Sequence, residues 1–229
     1  SDLLPVLEID NKTLDLYGRT VSATEVGGDY CDVIELPDKR FAVAVGDVSG
    51  HNVAAGVMMS MLKVAFRTEL SYLTAPERLI SSLNRSMYDH KNKNMFISFL
   101  FCLIDPASNT LTLVNCGHPP LLHFSSDGQV VQKYRTGDVA LGLIRDAAFK
   151  SIEIKYNPGD IFILLSDGLI ETANSSGEEF TIETVSELIK EHPDQAASEL
   201  YDLLVHAANE FRGQLPQRDD VTVTVVKMN

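Results

Sequence analysis

Nine runs of β-type sequence, most of them separated by a tight turn, constrain this chain more than any other feature. They fall at Leu14 to Val21, Cys31 to Leu36, Phe41 to Asp47, Met95 to Ile104, Leu111 to Cys116, Val130 to Tyr134, Ser151 to Tyr156, Ile161 to Ser166 and Val221 to Lys227. Turn signals divide them at Pro37-Asp38, Asp105-Pro106, Ser125-Ser126-Asp127-Gly128 and Asn157-Pro158-Gly159-Asp160. Strands joined by connections this short pair antiparallel. Helical periodicity is clearest from Val53 to Leu70, where Val53, Val57 and Met61, or Met58, Leu62 and Ala65, recur at three- and four-residue spacing. Further helices are predicted over Pro76 to His90, with proline in the first turn, Ile182 to Lys190 and Ala196 to Phe211. Two pairs of amphipathic helices each need a sheet face to cover, which places sheets in the middle and helices outside. With 229 residues, 45% of them hydrophobic, the chain can bury one large core. Residues 1–10, with Leu3-Leu4-Pro5, read as the end of an upstream linker, and residues 11–229 as the domain.

Charge and apolar run lengths exclude several classes. No segment approaches the roughly 18 consecutive apolar residues of a membrane helix. The start, SDLLPVLEID, has neither the basic region nor the apolar region of a signal peptide. A cytoplasmic domain with no membrane contact in this segment is expected. A net charge of −13 repels the phosphate backbone, so nucleic acid is not an expected partner. The three cysteines, Cys31, Cys102 and Cys116, are odd in number and lie in strand-like contexts without C-x-x-C spacing, as expected of reduced core thiols.

Acidic residues stand at the ends of the core strands. Asp29 follows Gly27-Gly28, and Asp47 lies 18 residues later (47 − 29), so that a hairpin through Pro37-Asp38 returns both to one sheet edge. Asp167 follows the most hydrophobic run, Ile161 to Leu165, within Ser166-Asp167-Gly168, and Asp219-Asp220 precede the last strand. Any one of them reads as a turn former or a helix cap. Several carboxylates gathered together are costly unless cations neutralise them. Oxygen-only donors suit Mg²⁺ or Mn²⁺ rather than zinc. Two such ions about 4 Å apart can polarise a phosphoryl group and activate water. The chemistry indicated is phosphate-ester hydrolysis. The D-x-D of haloacid-dehalogenase-type phosphohydrolases is missing at Asp47-Val48-Ser49.

The tags GGDYCD, VGDVSGH, NCGHPP, LSDGLIETAN and RDDVTVTVV, in that order, resemble the successive motifs of the PPM or PP2C-like serine/threonine phosphatases, in the bacterial branch of SpoIIE and RsbU. The resemblance runs from about Leu3 to Val226. It implies an α+β fold of four α-β-β-α layers, two central antiparallel sheets flanked by helices, with two Mn²⁺ or Mg²⁺ ions at one end. By position, Asp47 would bridge the ions, Asp29 and the Val48 carbonyl would complete one site, and Asp167 and Asp219 the other. Asp219 matches the family's ligand position; Asp220 then caps or orients, with the reversed assignment open.

The implied reaction is attack of metal-bound water on a phosphoserine or phosphothreonine of a regulatory protein, a small anti-sigma-factor antagonist. An upstream regulatory domain would control it, and a homodimer is compatible with the resemblance. The alternative is a catalytically weak PPM-like domain that senses or docks a partner. Presence of all four acids favours the enzyme.

Other residues take lesser roles. Asp32 reads as support for Asp29 or as a turn residue, His51 as a cap of the following helix, and His118 as part of a structural loop. Glu171 reads as a loop-orienting residue, Met58, Met59 and Met61 as core or interaction surface, and Arg19 as a candidate phosphate clamp. The helix from about Asn52 is expected to aim its N-terminal amides at the site.

Overall fold

Every residue from Phe41 to Gly46 is buried, which a strand achieves only when both of its faces are covered. Val43 and Val45 enter one apolar layer, and Ala42 and Ala44, pointing the other way, enter a second. The computed structural model describes residues 6–24, 27–50, 53–72, 75–91 and 94–229 and shows what covers each face. The elements run β1 (Leu7–Asp10), β2 (Leu14–Val21), β3 (Asp29–Glu35), β4 (Phe41–Val48), α1 (Val53–Leu70), α2 (Pro76–His90), β5 (Ile97–Asp105) and β6 (Thr110–Cys116). They continue with β7 (Leu121–Ser125), β8 (Val130–Tyr134), β9 (Ile152–Lys155), β10 (Ile161–Leu165), α3 (Asp167–Ile170), α4 (Ile182–Glu191), α5 (Ala197–Arg212) and β11 (Val221–Met228).

Two antiparallel sheets result, one ordered β1-β2-β11-β10-β7-β8 and the other β3-β4-β5-β6-β9. Leu16, Cys31, Val43, Val45, Leu100, Phe162 and Val226 fill the layer between them. Leu62 and Phe66 of α1 and Ile80 and Leu83 of α2 pack on Phe99 and Phe101 of the second sheet. Val185 and Ile189 of α4 and Leu200 and Leu204 of α5 cover Ile161, Ile163 and Val223 of the first. The expected four α-β-β-α layers are therefore present. Antiparallel pairing lets each strand divide its side chains between two apolar layers.

Three elements escaped the sequence pattern. Leu7–Asp10, inside the stretch read as linker, pairs with β2 as an edge strand and puts Leu7 in the inter-sheet core. Leu121–Ser125 follows Pro119-Pro120 and is too short to show alternation, yet β7 pairs with β10 and is buried from Leu121 to Phe124. Asp167–Ile170 is a single turn, below the length at which period shows. Strand ends elsewhere differ by one or two residues. All three cysteines are free and buried. No helix among the described residues is long and apolar enough to cross a membrane.

Phe66 is fully buried, and its ring meets the edges or faces of Tyr30, Phe99 and Phe101 at centroid distances of 6.3, 5.5 and 5.5 Å. Phe66→Ala should cost about 3–5 kcal/mol in urea unfolding through the cavity it leaves. A cost below about 1 kcal/mol would mean that α1 does not rely on this cluster.

Candidate functional site

The predicted acids come from both sheets and meet at one end of the sandwich. Antiparallel register sets Asp29 of β3 directly opposite Asp47 of β4, and Asp47 opposite Ser98 of β5. From the other sheet, β10 ends at Leu165 and leads through Ser166 to Asp167 at the start of α3, while Asp219-Asp220 lead into β11. Gly168 is what allows this second pair to close. A Cβ there would lie 2.0 Å from the Asp220 carbonyl oxygen and 3.4 Å from Cβ of Asp219, so only glycine lets the turn of α3 rest on that segment.

At this proximity the acids act on one another's charge. Burial, then the charge of Asp47, holds the Asp29 carboxyl well above the usual carboxylate range, although hydroxyl donation from Thr222 and Ser166 opposes this. Burial, followed by Asp167, Asp219 and Asp220, pushes Asp47 up to about 7. Asp167 is raised by burial and by Asp219. Four carboxylates thus repel one another across two sheets. Among the described residues, no three His, Cys, Asp or Glu side chains stand close enough to grip one ion as placed. The acids sit at the range of charge repulsion rather than of shared ligation.

The neighbouring oxygens fit a hard cation nevertheless. Gly28 leaves open a cradle that a Cβ would fill: that atom would lie 2.9 Å from the Val48 carbonyl oxygen, 3.2 Å from the Gly50 carbonyl oxygen and 3.4 Å from Asp47 Oδ1. Every donor turned this way is oxygen, the set that Mg²⁺ and Mn²⁺ accept.

Asp219 and Asp220 have different surroundings. Asp220 is buried, and its carboxylate accepts the backbone N–H groups of Ala23 and Gly28, both at 2.8 Å, and of Asp29 at 3.4 Å. Asp219 is exposed; among the described residues its Oδ1 accepts the Asp220 N–H at 2.8 Å. Asp220 therefore ties the β2–β3 connection to the start of β11, and Asp219 keeps a carboxylate turned outward.

Other side chains settle into clear places. Asp32 is buried, accepts Arg67 Nε and Nη2, both at 2.7 Å, and also the Tyr30 hydroxyl at 2.9 Å. It is a pillar between β3 and α1, not a turn residue. His118 is buried with Nδ1 2.8 Å from Ser98 Oγ, its loop is gathered by the Asn115 side chain, and burial pushes it down to about 3. Glu171 is exposed but raised by partial burial, then by Asp167, Glu179 and Asp219, so it shares the field of the site. Arg19 is no phosphate clamp. Alternation along β2 turns it, with Tyr17, to the α5 face, opposite Val223 and within charge range of Tyr201. His51 and Asn52 lie outside the described residues; α1 is described from Val53. Thr222, whose hydroxyl donates to Asp29 Oδ2 at 2.6 Å, was missed, as was Arg67. Alternation in VTVTVV sets the threonines on the face opposite Val221, Val223 and Val225, and nothing in the sequence named a partner for Thr222.

With this geometry, the comparisons with known proteins decide the family. The family model of Stage II sporulation protein E, SpoIIE, matches residues 37–229. The chain belongs to the SpoIIE family. The matched stretch holds Asp47, Asp167 and Asp219 and begins after Asp29. A relative, phosphoserine phosphatase RsbU of Bacillus subtilis, is 25% identical over 94% of this chain and 64% of its own length. This SpoIIE-family chain thus spans less than two thirds of that relative. The solved SiaA-PP2C domain of Pseudomonas aeruginosa superposes with a TM-score of 0.84 at 22% identity, covering 93% of this chain and 86% of that one. RsbX in complex with magnesium superposes at 0.73, with 16% identity and 99% and 100% coverage. These likenesses show a PP2C fold.

Repulsion among the acids has a consequence for metal-free protein. A carboxyl whose folded value is raised binds more protons folded than unfolded between the two values, so stability falls as pH rises through that window. For Asp47 the window runs from about 4 to about 7. In EDTA, the melting temperature should therefore drop between pH 5 and pH 7.5, and Asp47→Asn should flatten the drop and stabilise the fold at pH 7.5. An unchanged pH profile in Asp47→Asn would show that Asp47 is not under this strain.

Proposed function

We propose that residues 7–229 form a metal-dependent phosphoserine/phosphothreonine protein phosphatase. Its substrate would be a phosphorylated regulatory protein of the anti-sigma-factor-antagonist type. The observation that carries this reading is the gathering of Asp29, Asp47, Asp167 and Asp219 from two sheets at one end of the fold, with Asp220 already engaged by backbone amides. The family, the relative named a phosphoserine phosphatase and the magnesium complex of RsbX support it.

Asp47, Asp29, Asp167, Asp219 and the Val48 carbonyl would hold two Mn²⁺ or Mg²⁺ ions, which when bound polarise the phosphoryl group and acidify water. The chain's own side chains supply the rest. Asp29 is aimed by the Thr222 hydroxyl, and Thr222 is itself held by Thr20 Oγ1 at 2.7 Å. Asp220 fixes the strand that carries Asp29, and His118 with Ser98 backs the strand that carries Asp47. No thiol competes as nucleophile: burial raises all three, Cys31 to about 11. In this reading water is the nucleophile, and turnover leaves no phosphorylated side chain.

Because no three of the described acids grip one ion as placed, a second reading is a weakly active docking domain that gains metal affinity only when an upstream segment tightens the site. Turnover of p-nitrophenyl phosphate against Mn²⁺ concentration separates the two. Enzyme behaviour predicts activity abolished by EDTA, restored by Mn²⁺ or Mg²⁺, and lowered at least about a hundredfold by Asp47→Ala, with the fold kept. Wild-type rates in Asp47→Ala would overturn the assignment. No activity at saturating Mn²⁺ would leave the docking reading.

A further inference from the structure

A cleft of about 570 Å³ opens beside the acids, and Asp219 is part of its lining. One wall is the segment after α3, bearing Glu171, Asn174 and Glu179; the other is the end of α5, bearing Arg212, and the α5–β11 connection, bearing Arg218. Both walls are braced. Asn174 Oδ1 accepts the N–H groups of Ser176 and Glu178 at 2.9 and 3.1 Å, closing the first wall as a tight turn. The Gln217 side chain donates to the carbonyls of Val21 and Asp219, both at 2.8 Å, pinning the second wall to the end of β2.

The two arginines stand on one wall of a cleft in a chain of net charge −13. Arg218 is exposed and makes no ion pair among the described residues. Arg212 donates through Nη2 to Asn209 Oδ1 at 2.8 Å, but its Nε is inaccessible to solvent and has no acceptor among the described residues. Among the described residues neither guanidinium forms an ion pair, although Glu171 and Glu179 stand on the opposite wall and Asp219 adjoins Arg218. The exposed guanidinium of Arg218 leaves a fork of donors open to carboxylate oxygens brought by another chain, and the part-buried Arg212 adds positive charge to the same wall.

We propose that this cleft receives the polypeptide flanking the phosphorylated residue, and that Arg212 and Arg218 pair with acidic side chains of that segment. The inference rests on the phosphatase reading of the adjacent acids. Opposite charges on the two walls also orient the segment. Its acidic side chains face the arginines, and its backbone N–H groups or basic side chains face Glu171 and Glu179. Phosphate itself belongs at the acids, so the arginines read sequence around the ester rather than the ester.

The test uses two phosphoserine peptides that differ only in having acidic or neutral flanks. Turnover is measured with Mn²⁺, and binding by fluorescence anisotropy in EDTA, where no hydrolysis intervenes. Arg218→Glu should lower the ratio of kcat/KM for the acidic over the neutral peptide by about tenfold, mainly through KM, and Arg212→Gln should lower it by less. Arg218→Lys should keep most of the preference. The anisotropy preference should fall in parallel and weaken with salt. A ratio unmoved by both Arg218→Glu and Arg212→Gln, or a wild type that does not distinguish the peptides, overturns the cleft assignment even if hydrolysis is robust. An Arg218-dependent preference in binding, with no hydrolysis of either peptide at any Mn²⁺ concentration, retains the cleft and sinks the phosphatase reading.

Discussion

One shared apolar layer between two antiparallel sheets is the constraint on which the rest depends. Phe162, Leu164 and Val226 from one sheet interdigitate with Val43, Val45 and Leu100 from the other. That contact fixes how the sheets are stacked, and therefore which strand ends coincide. Asp29 and Asp47 belong to one sheet, while Asp167 and Asp219 flank strands of the other. They meet only because this layer holds β3 and β4 over β10 and β11.

Bringing those acids together is unfavourable without cations, and the surrounding hydrogen bonds show how the fold tolerates it. Asp220 places its own charge on three backbone N–H groups, so it contributes order as well as repulsion. The Thr20–Thr222 hydroxyl chain ends on Asp29. On the opposite side, Arg67 spans from α1 to the buried Asp32, three residues along β3 from Asp29. Removing Arg67 leaves the buried Asp32 charge unpaired, which costs more than the pair contributes. The geometry of Asp29 is thereby linked to the seating of α1, whose exposed Val53, Val57 and Val64 leave an apolar stripe outward.

Legibility in the sequence followed element length and partner distance. Long elements with a clear period, α1, α2, β2 and β11, match their predicted spans within a residue. β1 and β7 did not show, because four or five residues beside a proline or a presumed linker carry too little alternation to separate strand from loop. The acids stood out because each follows or precedes a strongly apolar run next to glycine. Their grouping was legible for Asp29 and Asp47, which one hairpin joins. For Asp167 and Asp219 it came from the number of such acids and from family resemblance.

The sequence by itself determined the layer pattern, the absence of a hydrophobic membrane helix, and the identity of the acids, since these depend on local period, composition and spacing. Only the tertiary structure decided what distinguishes neighbours. Asp219 faces the cleft while Asp220 is enclosed by amides, Asp32 is a buried ion-pair partner rather than a turn residue, Arg19 is exposed on the α5 face of β2, and Arg212 and Arg218 share a wall with Asp219. Each of these depends on contacts between segments far apart in the chain, such as Gly28 and Asp220, 192 residues apart. A side chain's solvation and charge partners are set by which strands stack, and local sequence carries no record of that.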